Sequence, residues 1–174
     1  MEFSEVSIVG KGIGWEDAPN FGEVWGVNDI MLKKRSVTRI FSLHSWIVIG
    51  SHPPMLESLQ VSSSKKIPFV CIEASEAHFM SETYPFKEIS SFFSTEYFTN
   101  SICYMIAYAL YYNVETLNFF GVNHKHELRH RAGVEYWIGR ALGMGVAINI
   151  YGPSKLLTNE NLLPYGYRRS KTNL

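Results

Sequence analysis

The sequence predicts an α/β fold: a Rossmann-like, mainly parallel sheet flanked by helices in a single domain. Three observations predict it. Six short runs of six to nine residues are rich in β-branched and aromatic residues and are apolar on both faces, as strands covered on both sides must be. Helix-like segments separate the later runs, giving the strand–helix alternation of a parallel sheet with right-handed crossovers. Each run stops abruptly at Gly, Asn or another polar residue, where a strand would hand over to a loop.

The runs are "EVSIVG" (5–10), "EVWGVN" (23–28), "TRIFSLH" (38–44), "IPFVCIEA" (67–74), "ETLNFFGVN" (115–123) and "VAINIYG" (146–152). Between the fourth and fifth, "TNSICYMIAYALYYN" repeats Ile102, Met105, Ile106 and Ala109 at helical spacing, with Thr99, Asn100 or Ser101 available as N-cap. Between the fifth and sixth, "ELRHRAGVEYWIGRALGMG" reads as a second helix closed by Gly143 and Gly145. The first crossover, Gly10 to Gly22, is too short for a full helix and predicts one turn or a loop. "VSSSKK" (61–66) reads as a loop. Residues 1–160 are taken as one Rossmann-like domain, and 161–174 as a C-terminal tail packed in part through Leu162, Tyr165 and Tyr167.

A chain of 174 residues, 46% apolar and 14% aromatic, can bury one substantial core. Lysine plus arginine number 16 and aspartate plus glutamate 16, so there is no strong nucleic-acid signal. The N-terminus lacks a basic region ahead of an apolar stretch, and no window reaches the ~18 apolar residues of a membrane span. A cytoplasmic protein is expected, with no membrane partner and an open oligomeric state. Cys71 and Cys103 sit in separate apolar runs and are expected to be buried free thiols.

In open α/β sheets, ligands bind outside the C-terminal strand ends. Those ends read "GKGIG" (10–14), "NDI" (28–30), "HSW" (44–46), "EAS" (73–75), "NHKHE" (123–127) and "GPS" (152–154). Gly10, Gly12 and Gly14 would let backbone N–H groups approach a phosphate, with Lys11 adding charge, or else they serve a tight turn. Asn28 and Asp29 suit a base or ribose, or a cap. His44 could bond or stack, or belong to a half-buried aromatic pair with Trp46. Thr99, Asn100 and Ser101 surround a helix start, which favours an anion as well as capping. Asn123 closes the fifth run at the same end.

His126-Glu127-Leu128-Arg129-His130 matches H-E-x-x-H, in which two histidines grip zinc and the Glu acts as base. The place of a third ligand holds Tyr136, and Arg129 and Arg131 crowd the cation, so no bound metal is expected. A zinc-dependent hydrolase remains the alternative. Glu127, Arg131 and Glu135 at i, i+4 and i+8 form a stripe of alternating charge. Facing the site, Arg131 could hold an anion and Glu135 act as base; facing water, the stripe is only a solvated surface.

Taken in order, "VSIVGKGIG", "VWGVND", "TNSICYMIAYALYYNVETLNFFGVN", "EYWIGRA" and "INIYGPS" resemble the bacterial sialyltransferase-like α/β glycosyltransferases. They also resemble smaller phage-type proteins of unknown role with the same layout. The likeness covers about two thirds of the chain. It implies a nucleotide or nucleotide-sugar ligand and, where the protein is catalytic, glycosyl transfer. It also implies that Asn28 matches a nucleotide-contacting Asn and that residues 99–101 stand where the family has T-S-G. Gly12-Ile13-Gly14 replaces the G-P-S of the family's loop, which removes a phosphate-binding hydroxyl. The family's general-base His falls near Glu135. Two readings follow: a glycosyltransferase-like enzyme, or a non-catalytic protein binding a nucleotide in the same pocket.

Overall fold

A computed structural model describes residues 3–158 apart from residues 35, 77, 79 and 124–127. Seven strands form one sheet in the order β5-β4-β3-β2-β1-β6-β7, and every pairing is parallel. The strands are β1 (Glu5–Val9), β2 (Glu23–Val27), β3 (Arg39–Phe41), β4 (Phe69–Cys71), β5 (Ser81–Thr83), β6 (Thr116–Phe120) and β7 (Ala147–Ile150). From β1 the chain builds outwards through β5, then returns to the other side of β1 to lay down β6 and β7. The direction therefore switches between β1 and β6, where adjacent C-terminal loops lead to opposite faces.

Strand alternation sorts the core into two layers. Val6, Ile8, Trp25, Val27, Phe41, Val70, Leu117 and Phe119 point to one face and pack against α3 (Phe86–Phe93), α4 (Ser101–Tyr111) and α5 (Leu128–Gly143). Val9, Val24, Ile40, Phe69, Cys71 and Phe120 point to the other and meet Ile49, Met55 and Leu59 of α1 (Trp46–Ser51) and α2 (Pro53–Lys65). Trp25 and Trp137 are fully buried, and burial of a large apolar side chain contributes roughly 1.5–3 kcal/mol. Trp25, Phe41 and Tyr108 meet with ring centroids 5.3–5.6 Å apart, joining β2 and β3 to α4. Both cysteines are free and buried. Among the described residues, no helix is long and apolar enough to cross a membrane.

Two parts of the sequence reading change. "VSSSK" (61–65) is the last turn of α2, not a loop, and Lys66 closes it in the left-handed region. Its serines fold back on the helix, Ser62 donating to the Leu59 carbonyl at 2.7 Å and Ser64 to Val61 at 2.8 Å. β5 adds a seventh strand. The β1–β2 crossover holds a single 3-10 turn, Trp15–Asp17, as its length predicts. This crossover is strapped by Lys34, which is 6% exposed and donates to the Ala18 carbonyl and to Asn20 Oδ1. The tail, with Leu162, Tyr165 and Tyr167, lies outside the described residues.

Candidate functional site

A cleft of about 840 Å³ opens at the switch point, beyond the C-terminal ends of β1, β2, β3 and β6. Gly10, Lys11, Gly12, Asn28, His44, Thr99, Asn100, Ser101 and Asn123 all line it, joined by His130 and by the apolar Phe98 and Tyr104.

The floor is made where the loop after β1 crosses the loop after β6. Gly10 N–H donates to the Phe120 carbonyl and Gly12 N–H to the Gly121 carbonyl, both at 2.8 Å. A Cβ on Gly12 would overlap Asn123 Oδ1 and lie 2.8 Å from the Gly121 oxygen. The absence of a side chain at Gly12 is thus accounted for by the neighbouring protein loop rather than by a ligand. Gly14 does not line the cleft. It has φ +93° and leads into the 3-10 turn, beside Gly152 and Pro153. Asn123 Nδ2 donates to the carbonyls of Ile13 and Pro153, and Ser154 Oγ to the Val122 carbonyl at 2.7 Å, so the loop after β7 is tied to the same floor.

Asn28 is held from both sides in the left-handed region at φ 51°. Its N–H donates to the Phe41 carbonyl at 2.9 Å, and its own carbonyl accepts from Ser58 Oγ at 2.8 Å. The side-chain Oδ1 is buried without a hydrogen-bond partner. A buried amide oxygen left unpaired costs about 1–3 kcal/mol, which a ligand or water donor would offset. Next to it, Asp29 Oδ1 pairs with Lys11 Nζ at 2.6 Å.

On the far wall stands the start of α4. Asn100 is its N-cap, with Oδ1 accepting from the N–H groups of Ile102 at 2.9 Å and Cys103 at 3.2 Å. Asn100 Nδ2 donates to the His130 carbonyl at 3.1 Å, which ties α4 to α5. Thr99 sits between Cys103 Sγ and the His130 carbonyl, each 3.5 Å away, and a Cβ on Gly133 would overlap it. Capping and helix packing therefore explain Thr99 and Asn100. Ser101, at the first helical position, keeps a hydroxyl with no partner among the described residues. Trp137 Nε1 donates to the Tyr97 carbonyl at 2.8 Å and its ring meets Phe98 at 4.9 Å, fixing the segment that leads into α4.

His44 lies on the third wall, one residue before Ser45, the N-cap of α1. Burial and then the charge of His52 lower its pKa below the usual 6.5, favouring the neutral imidazole at pH 7. Burial raises the pKa values of Tyr104 and Cys103, so both stay protonated. Trp46 turns away from this wall, its Nε1 donating to the Glu73 carbonyl at 2.9 Å and its ring stacking on His78.

Arg131 and Glu135 do not line the cleft. Arg131 Nε pairs with Glu135 Oε1 at 2.8 Å, Arg131 Nη2 donates to the Thr158 carbonyl at 2.8 Å, and Glu135 accepts from the Leu157 N–H at 2.7 Å. This side of α5 anchors the segment after β7. His126 and Glu127 lie outside the described residues, and among the described ones no three His, Cys, Asp or Glu side chains gather to hold a metal ion. His130, which the sequence places beside the strand-end pocket without a metal, does line the cleft; Phe98, ahead of α4, and Tyr104, within it, carry no such signal in the sequence.

No family model, curated protein or solved structure matches the chain.

Proposed function

We propose that the cleft binds a nucleotide or nucleotide-sugar. The observation that carries this reading is position: the cleft lies at the switch point of an all-parallel sheet, where such folds bind ligands. The lining chemistry supports it. Asn28 offers an unpaired buried oxygen suited to a ribose or base donor, and Ser101 offers a hydroxyl at a helix start to a phosphate. Phe98 and Tyr104 supply an apolar wall. The resemblance to sialyltransferase-like glycosyltransferases points the same way.

If the protein transfers a sugar, an acceptor hydroxyl gives its proton to a base and its oxygen bonds to the anomeric carbon. The bond from that carbon to the phosphate oxygen breaks, and the nucleotide leaves with the electron pair. His44 and His130 are the histidines lining the cleft among the described residues, and they are better candidates for the base than Glu135. A second reading, binding without transfer, is favoured by the engagement of Glu135 with the Leu157 N–H.

Calorimetric titration with cytidine, uridine, adenosine and guanosine nucleotides tests the binding reading. One class is expected to bind best, and Asn28→Ala and Ser101→Ala are each expected to weaken it about five- to tenfold. Absence of binding by all four at millimolar concentration would contradict it.

A further inference from the structure

Lys11 is the lysine or arginine among the described cleft-lining residues, and it is paired. Its Nζ lies 2.6 Å from Asp29 Oδ1, bridging the loops after β1 and β2. The two partners differ in freedom. The Lys11 side chain is 43% exposed and sits on a flexible stem, whereas that of Asp29 is 14% exposed. The backbone before Asp29 is pinned by the Asn28 bonds to Phe41 and Ser58. After it, the Leu32 N–H donates to the Asp29 carbonyl at 3.1 Å, and Ile30 and Met31 are buried in the core. An anion that draws Lys11 away therefore leaves behind a largely buried carboxylate without its counter-charge. A phosphate held at the start of α4, by Ser101, needs no bond from Lys11. Asp29 itself does not line the cleft, so a second phosphate reaching the loop after β1 competes with it for Lys11.

We infer that Asp29, acting through Lys11, is a specificity-determining residue that admits ligands with a single phosphate and discriminates against di- and polyphosphates. The inference rests on the reading of the cleft as a phosphate-ligand site. It gives Lys11 a different task from that of a free phosphate clamp, because its charge is already balanced by a residue that cannot follow it.

The test compares phosphate with pyrophosphate, and each nucleoside monophosphate with its diphosphate, on wild type and Asp29→Asn. Asparagine keeps the shape, and no side-chain capping bond is lost, since the Asp29 carboxylate caps no N–H of the 3-10 turn that follows. Calorimetry and amide shifts of residues 10–12 report the binding. In Asp29→Asn the affinity ratio of diphosphate to monophosphate, and of pyrophosphate to phosphate, should rise about tenfold. Lys11→Met, which changes a surface side chain and leaves Asp29 unpaired, should lower pyrophosphate affinity more than phosphate affinity. Unchanged ratios in both variants, or no anion binding near residues 10–12 in any of the proteins, would overturn the inference. Nucleotides that bind with unchanged ratios would sink this inference and leave the nucleotide reading standing. A shift in the pyrophosphate ratio with no nucleotide bound would do the reverse.

Discussion

Gly12 and Asn123 pack so closely that a single added methyl group at Gly12 would occupy the position of Asn123 Oδ1. This contact joins the loops after β1 and β6, the two strands that flank the switch point. Gly12→Ala is expected to lower stability by about 1–3 kcal/mol, seen as a reduced melting temperature without any ligand. A variant as stable as wild type would show that the loops separate easily. The distinction matters for binding work: lost affinity in a Gly12 variant reports a damaged floor before it reports a lost phosphate contact.

Lys34 replaces the missing crossover helix as the strap on residues 18–20. Lys34→Met removes its bonds to the Ala18 carbonyl and Asn20 Oδ1 while keeping most of the buried stem. Denaturant unfolding should show a loss of about 1–3 kcal/mol, and proteolysis should cut first between β1 and β2. Equal stability and an unchanged cleavage pattern would mean the crossover holds itself.

Arg131 and Glu135 are expected to serve the segment after β7 rather than chemistry. Glu135→Gln should cost about 0.3–1 kcal/mol and leave nucleotide affinity and any turnover unchanged. A Glu135→Gln protein that binds normally but has lost turnover would restore Glu135 as the base.

His44 ties stability to pH. Its folded-state pKa lies below the unfolded value, so the unfolded chain takes up the proton first as pH falls. The contribution is therefore fully present above about pH 6.5. It is lost as pH drops from there through the folded value, and then levels off. Melting temperatures at pH 7.5 and 5.5 should differ less in His44→Gln than in wild type. An identical slope would place the titration elsewhere.

Much of the fold is legible in the sequence because β1, β2, β3, β4 and β6 are buried on both faces, as strands of a covered parallel sheet are. β5 escapes that logic. It is the three residues Ser81–Thr83, partly or fully exposed at the sheet edge, and carries no apolar pattern. α2 escapes for a different reason: its prolines sit in the first turn, and Ser62 and Ser64 satisfy themselves against the helix carbonyls. The cleft follows from strand ends, so the site residues chosen for lying there line it, Gly14 excepted. Arg131 and Glu135 were chosen by spacing along a helix. Spacing fixes which residues share a face of α5, but not which way that face turns. The packing of Val134, Trp137 and Ile138 into the core decides it. The Lys11–Asp29 pair joins residues 18 apart in two loops, and no local pattern announces it.

The most direct test of the central claim is a titration of the labelled protein with the four nucleoside monophosphates, followed by amide shifts. The account predicts that one of them moves the amides of residues 10–12, 28, 44, 99–101 and 121–123 together, saturating at a single affinity. Shifts confined to the outer face of α5, or none with any of the four at millimolar concentration, would contradict it.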